Sequence, residues 1–410
     1  MANSNPVQAA STQRHLPLTE FIPLLALVSS LDALSIDAML PALSMIGRDL
    51  HVAAANSVQL IVSAMFLGMV IGQFIAGPAS DSFGRRSVML VGLAVYLAGC
   101  LISVLSFSLA VMLFGRLLQG LGAAAALVVT TAIVRDLYSG AEMARLMSFI
   151  GSVFILVPII APLFGQGILL IGHWRLIFVL FAVLAVMVGT WFFLRQAETL
   201  PVARRSPFTF SGVFGVTRAV CTNRITMGYT LAIGVMFGGF IGYLSSAQQI
   251  FQDTYHAGSS FVLYFGVLSA CIGAAFLCNG LLVVRLGMQR LSMIALVALS
   301  MLSIGFLLLF IAYGGVPPIT LLMIYLCLSF FCNGILFGNL NALAMEPLGE
   351  MAGVGAAIVG GLSTLISIAI GATAGQLYDG TVIPLIAGFA ICGPIALAIC
   401  RWTERGRTTA

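Results

Sequence analysis

Three ionisable side chains stand inside long apolar runs of this 410-residue chain: Asp32, Asp37 and Arg116. Nearly every other charge falls between such runs or at their ends. A charge in hydrocarbon costs roughly 2.5–3.5 kcal/mol even on the lenient insertion scale, so it tends to face a cavity or a partner. A carboxylate that meets water in one state and protein in another can change its proton occupancy. That is the physical requirement for coupling a proton to a second solute. The bland alternative is a static buried ion pair that fixes helix packing. Counting along the runs puts Asp37 about nine residues, and Arg116 about seven, below the same end, roughly 10–14 Å at 1.5 Å per residue. The matched depth makes pairing geometrically feasible. Asp32 is rotated about 140° from Asp37 on a helix, whereas Ser30 shares the face of Asp37. Asp32 is expected to act in coupling, as a cargo counter-charge, or as a polar helix contact.

Membrane helices must position these groups. The chain is 60% hydrophobic and 8% charged, with a mean hydropathy of +1.12. A water-soluble surface needs far more charge. Runs long enough to cross a bilayer lie at roughly 21–46, 57–79, 87–106, 109–134, 147–171, 175–195, 225–250, 259–284, 291–312, 317–345, 352–376 and 381–401. The first contains two aspartates, so it is expected to be a retained span and not a cleaved leader. The polar segment 196–224 divides the chain into halves, 21–195 and 225–401, with tails 1–20 and 402–410. All eighteen basic residues are arginine. With both termini cytoplasmic, fifteen arginines fall in inner loops and tails and only Arg48 and Arg175 in outer ones. That bias fixes the expected orientation in the inner (cytoplasmic) membrane and favours an even number of spans.

The halves echo each other. A shift of 203 residues places Gly77 on Gly280 and Gly84 on Gly287, each in the loop after the second span of its half. That loop reads GPASDSFGRR in the first half and GLLVVRLGMQR in the second. Repeated six-span halves are the build of alternating-access carriers, with the site between halves at mid-membrane.

The string GPASDSFGRR resembles motif A of the major facilitator superfamily, with Gly77, Asp81, Gly84, Arg85 and Arg86 in the matching places. RLLQGLGAA resembles motif B, matching Arg116, Gln119, Gly120 and Gly122. VPIIAPLFGQG resembles the antiporter motif C, matching Pro158, Pro162 and Gly165, although Ala161 and Gln166 stand where glycines are usual. LSIDAMLPAL, VRDLY and ETLP are similar to the bicyclomycin/chloramphenicol-resistance (Bcr/CflA) branch of drug:proton antiporters. The resemblance implies an all-α fold of twelve transmembrane helices in two six-helix halves. It implies that Asp81 and Arg85 latch the cytoplasmic side and that Arg116 influences proton release from Asp37. Pro158, Pro162 and Gly165 would bend span five against span eight, a feature linked to antiport. Asp32 has no counterpart in the branch pattern.

The second half has no charge inside its spans. It offers Tyr229, Phe240, Tyr243, Gln248, Gln249, Asn279, Asn333, Asn339, Asn341 and Gln376 instead. Aromatic faces and uncharged amides suit a moderately lipophilic cargo, and the same groups also serve as interhelical contacts. Gln119, Phe240, Tyr243, Asn279 and Asn333 are the candidate cavity residues. The eight cysteines have no CxxC spacing and read as buried small hydrophobes. No metalloprotease, P-loop or nucleophile-elbow string is present, so neither an enzyme nor a nucleotide-driven pump is expected. No cofactor is expected, and an ion gradient supplies the energy. The scattered arginines argue against nucleic acid as a partner; the expected partners are a small molecule, protons and the lipid bilayer, with the chain working as a monomer. The expected activity is proton-coupled efflux of small lipophilic drugs. Export of one metabolite (an amino acid derivative or siderophore) and proton-coupled import remain open. The lack of a soluble signalling domain or a charged ring argues against a sensor or channel.

Overall fold

The computed structural model describes residues 16–138, 140–205, 218 and 220–405. Most of the expected N-terminal tail, the middle of the central loop and the end of the C-terminal tail lie outside them. Among the described residues, twelve helices are long and apolar enough to cross a membrane. They are α1 (Leu18–Asp37), α2 (Leu60–Phe83), α3 (Arg85–Val104), α4 (Leu109–Leu137), α5 (Gly140–Ile171), α6 (Arg175–Arg195), α7 (Arg224–Gln249), α8 (Phe261–Leu286), α9 (Met288–Ala312), α10 (Ile319–Met345), α11 (Ala352–Gln376) and α12 (Ile383–Arg405). We call the arginine-rich end, where α2 meets α3, the inner end.

The first apolar run is not one helix. After Asp37 the backbone tightens into the turn Leu40–Ala42 and restarts as a short helix, Leu43–Asp49. Pro41 sits within that turn and has no N–H to continue the α-helical ladder. Asp37 is therefore the last residue of α1, beside a break that its apolar neighbours did not announce.

Packing repeats with a shift of six. In the first half α1 packs on α5, α2 on α4, α3 on α4 and α3 on α6; in the second α7 packs on α11, α8 on α10, α9 on α10 and α9 on α12. The halves meet mainly through α2 with α11 and α5 with α8. The turn glycines follow the same symmetry: Gly84 has φ +94° and Gly287 φ +77°, a region in which a Cβ is strained. Helix α4 lies deep because its small residues admit neighbouring backbones. A Cβ on Gly120 would stand 1.9 Å from the Met65 carbonyl oxygen on α2, and one on Gly122 2.4 Å from that of Gly92 on α3. Without a hydrophobic drive between helices in lipid, such close approach supplies the van der Waals contact that holds them. Exposed Leu277, Leu281, Val284 and Met301 lie on α8 and α9, two outer helices.

Candidate transport site

The intramembrane acids sit on α1. Asp32 and Asp37 are each 5% exposed and within electrostatic reach of one another. Asp32 accepts from the next backbone N–H, that of Ala33, at 2.6 Å. Among the described residues the Asp37 carboxylate has no hydrogen bond and no ion pair within 4.0 Å. It acts electrostatically on Tyr243 of α7, in the opposite half. Tyr243 is 1% exposed, and its buried hydroxyl has no hydrogen-bonding partner. Ser30 donates to the Ala26 carbonyl of its own helix at 2.6 Å, so its hydroxyl proton is already used.

Arg116, expected from the sequence to lie at the depth of Asp37, does not pair with it within 4.0 Å. The guanidinium is fully buried. It donates to Gln119 Oε1 at 2.9 Å and to the Ile61 carbonyl at 3.3 Å, and lies 5.9 Å from the centre of the Phe178 ring. Gln119 in turn donates to Cys100 Sγ at 3.0 Å. Nearby, Tyr96 and Ser35 share a short hydrogen bond. Gln119 thus faces the interior of the first half and fixes Arg116; it does not line a space between halves. One Arg116 nitrogen, Nη2, stays buried without a partner. Tyr96, Ser35 and Cys100 carry no charge and lie in ordinary apolar strings, so sequence alone did not mark them.

The second half presents rings. Phe240 lies against Phe237 and Phe330, with centroids 5.1 and 5.5 Å away. Tyr243 meets Phe330 edge-on at 4.7 Å and stacks on Phe265 at 6.1 Å. These aromatics come from α7, α8 and α10 and form one wall. The amides do not join it as free groups. Asn279 and Asn339 hydrogen-bond each other reciprocally at 3.2 and 2.8 Å, and Asn333 donates to the Ser329 carbonyl of its own helix.

Motif C residues serve two interfaces. The Pro158 carbonyl accepts from Ser269 on α8 at 3.4 Å. Gly165 packs on α1: a Cβ there would lie 1.9 Å from the Ala38 carbonyl oxygen, one residue past Asp37. Pro162 is buried beside it.

At the inner end three separated strings converge. Arg85 pairs with Asp81 at 2.5 Å and Asp136 at 2.9 Å, and donates to Ser80 at 2.7 Å. Glu198, from ETLP, accepts from the backbone N–H groups of Arg85 and Arg86 at 2.9 and 3.2 Å, capping the start of α3. Arg205 approaches the same carboxylate at 3.7 Å. Gly84 is required here, because a Cβ would fall 2.3 Å from Glu198 Oε2. Gly77 accepts from Ser80, and Arg86 donates to the Phe193 carbonyl. All these partners belong to the first half and the segment just after it; in this state the Asp81–Arg85 pair does not latch one half to the other.

The halves are joined at the opposite end. Asn56, before α2, donates to the Gln376 and Tyr378 carbonyls, both at 2.9 Å, and accepts from Gln249 at 3.1 Å. Gln376 donates to the Asn56 carbonyl at 2.7 Å, and Gln59 donates to Gln249. These amide contacts all lie at the outer ends of the helices. The structure is closed outside.

Twelve helices in two matched halves around a buried acid define a multi-pass carrier. The sequence profile of the Major Facilitator Superfamily matches residues 25–372, and the chain belongs to that superfamily. It is a membrane transporter and not an enzyme. The chain is 30% identical over 367 residues to an uncharacterized MFS-type transporter, YdgK, of Bacillus subtilis, covering 88% of this chain and 90% of the relative. It is 26% identical to a bicyclomycin resistance protein homolog of Haemophilus influenzae over 92% of this chain and 94% of that one. Multidrug resistance protein D of Escherichia coli is 27% identical, with 80% and 81% covered. The likeness to the bicyclomycin branch expected from the motifs is borne out by these relatives. In fold the chain is similar to a D-xylose–proton symporter, with a TM-score of 0.76, 15% identity and 93% and 97% of the two chains covered.

Proposed function

We propose that the chain is a proton-coupled efflux antiporter for small lipophilic drugs, antibiotics such as phenicols or bicyclomycin-like compounds among them. It works as a monomer in the cytoplasmic membrane, with both termini in the cytoplasm. The observation that carries this reading is Asp37: a buried carboxylate without hydrogen bond or counter-ion, at a break in α1, acting on an aromatic wall of the other half. A carboxylate left unpaired at such depth is an exchangeable proton site more readily than a structural strut. The rings of Phe240, Tyr243 and Phe330 supply apolar faces for cargo, and the Tyr243 hydroxyl a hydrogen bond for orientation.

Cargo and proton then compete for one space. In the state closed outside, cargo enters from the inner side and settles against the rings, and its presence favours loss of the Asp37 proton. Opening to the outside lets cargo leave and a proton return to Asp37. Arg116, held rigidly by Gln119 and the Ile61 carbonyl, sets the field in which that proton comes and goes. The names of the relatives from Haemophilus influenzae and Escherichia coli support drugs as cargo.

The test is accumulation of labelled antibiotics and dyes in a pump-deleted bacterium carrying wild type, Asp37→Asn or empty vector, with and without a protonophore. Lower accumulation with wild type only, abolished by the protonophore, is the expected result. Efflux that persists in Asp37→Asn at wild-type protein levels refutes the role of Asp37, and no efflux across the panel refutes drugs as cargo.

A further inference from the structure

Beside the joined amides lies a cavity of about 330 Å³ between the short helix Leu43–Asp49 and the outer end of α7. Its walls include Arg48 and Gln59 from the first half and Gln248, Gln249 and Asp253 from the second. Gln59 and Gln249 are the residues hydrogen-bonded across the halves, so the cavity adjoins the seal. Gln248 is only 2% exposed, and its side-chain Nε2 is buried with no hydrogen-bonding partner. A buried amide donor without an acceptor costs about 1–3 kcal/mol, so a ligand that accepts from it is favoured.

The charges in this cavity are the second observation. Arg48 and Asp253 are exposed residues from opposite halves, and Asp253 feels the charges of His256 and of Arg48. Yet no ion pair within 4.0 Å joins them, and neither side chain has a hydrogen bond among the described residues. A purely cationic ligand meets Arg48, and a purely anionic one meets Asp253. A molecule with both charges at its two ends satisfies both residues and can still accept from Gln248. At about 30 Å³ for a water-sized group, the volume holds about eleven non-hydrogen atoms.

We propose that this cavity binds a small zwitterion of dipeptide size, its carboxylate towards Arg48 and its ammonium towards Asp253. Because the site draws on both halves, it is complete only while the outer ends are closed, and its occupant stabilises that state. A zwitterion outside the cell thereby slows outward opening, whatever the cargo.

The probe is L-alanyl-L-alanine, which has eleven such atoms, titrated calorimetrically into the full-length protein in nanodiscs. Its N-acetyl and methyl-ester derivatives, each lacking one charge, are the controls. Saturable binding by the dipeptide alone is expected, weakened at least about tenfold by Arg48→Gln and by Asp253→Asn. The bound dipeptide is also expected to slow hydrogen exchange at the outer ends of α2, α7 and α11. The proposal is overturned by absence of saturable binding up to about 10 mM. Equal binding of the capped derivatives, or binding that survives both substitutions, overturns it as well. No arm involves drug transport, so failure here leaves the antiport reading untouched, and failure of that reading leaves this one.

Discussion

Asn56→Ala is the sharpest way to ask what keeps the outer end shut. The side chain makes three hydrogen bonds to the second half: two as donor at 2.9 Å and one as acceptor at 3.1 Å. The bond from Gln376 to the Asn56 backbone carbonyl survives the substitution. A net hydrogen bond contributes about 0.5–1.5 kcal/mol, and at this half-exposed position water replaces part of each. Taking about 0.5–1 kcal/mol apiece, the three are worth about 1.5–3 kcal/mol. They exist only in the state closed outside, so removing them shifts the equilibrium towards outward opening by roughly 10- to 150-fold. Hydrogen exchange followed by mass spectrometry reads this directly. Peptides at the outer ends of α2, α7 and α11 should exchange faster in Asn56→Ala. Asn341→Ala is the control, because that amide bonds only the Phe337 carbonyl of its own helix. Wild-type protection in Asn56→Ala would refute the idea that these amides hold the halves together outside.

Three further substitutions test the remaining contacts. Gly165→Val forces side-chain atoms into the Ala38 carbonyl. It should cost about 1–3 kcal/mol of stability and abolish efflux, whereas Gly167→Ala, with nothing within 4 Å of its Cβ, should behave as wild type in thermal unfolding and transport. Glu198→Ala uncaps α3 and should lower stability by about 1 kcal/mol in a thermal-unfolding assay, with efflux retained in proportion to folded protein. Arg116→Met removes a buried charge that has no acidic partner, so its unfolding temperature should stay near wild type or rise, while protonophore-sensitive efflux is lost; efflux at the wild-type level would make Arg116 structural only.

What the sequence made legible was whatever polarity contrasts with an apolar background. Asp37 stood out because charge inside a span is rare, and GPASDSFGRR because a turn and three charges interrupt two runs. The convergence of Asp81, Asp136 and Glu198 on the α2–α3 turn was hidden, since residues 81, 136 and 198 meet only once helices pack. The cage around Arg116 was hidden for a different reason: Ser35, Tyr96 and Cys100 are ordinary small or aromatic residues in a membrane helix. Helical rise suggested equal depth for Asp37 and Arg116, yet depth says nothing about rotation around the axis, and Arg116 bonds Gln119 instead. The pairing of the amides was hidden on similar grounds, because Asn279 and Asn339 come from helices 60 residues apart in sequence. The break after Asp37 had one visible cause, Pro41, set in a run otherwise apolar enough to pass for a continuous span.

The unequal furnishing of the two halves has an evolutionary consequence. Buried acid and guanidinium stand on α1 and α4, while the ring-lined wall belongs to α7, α8 and α10. Under the proposed function, substitutions in that wall alter which molecules fit without touching Asp37 or Arg116, so the spectrum of transported compounds can drift between lineages while the first half is inherited unchanged. Swapping only the second half between relatives should carry the spectrum with it.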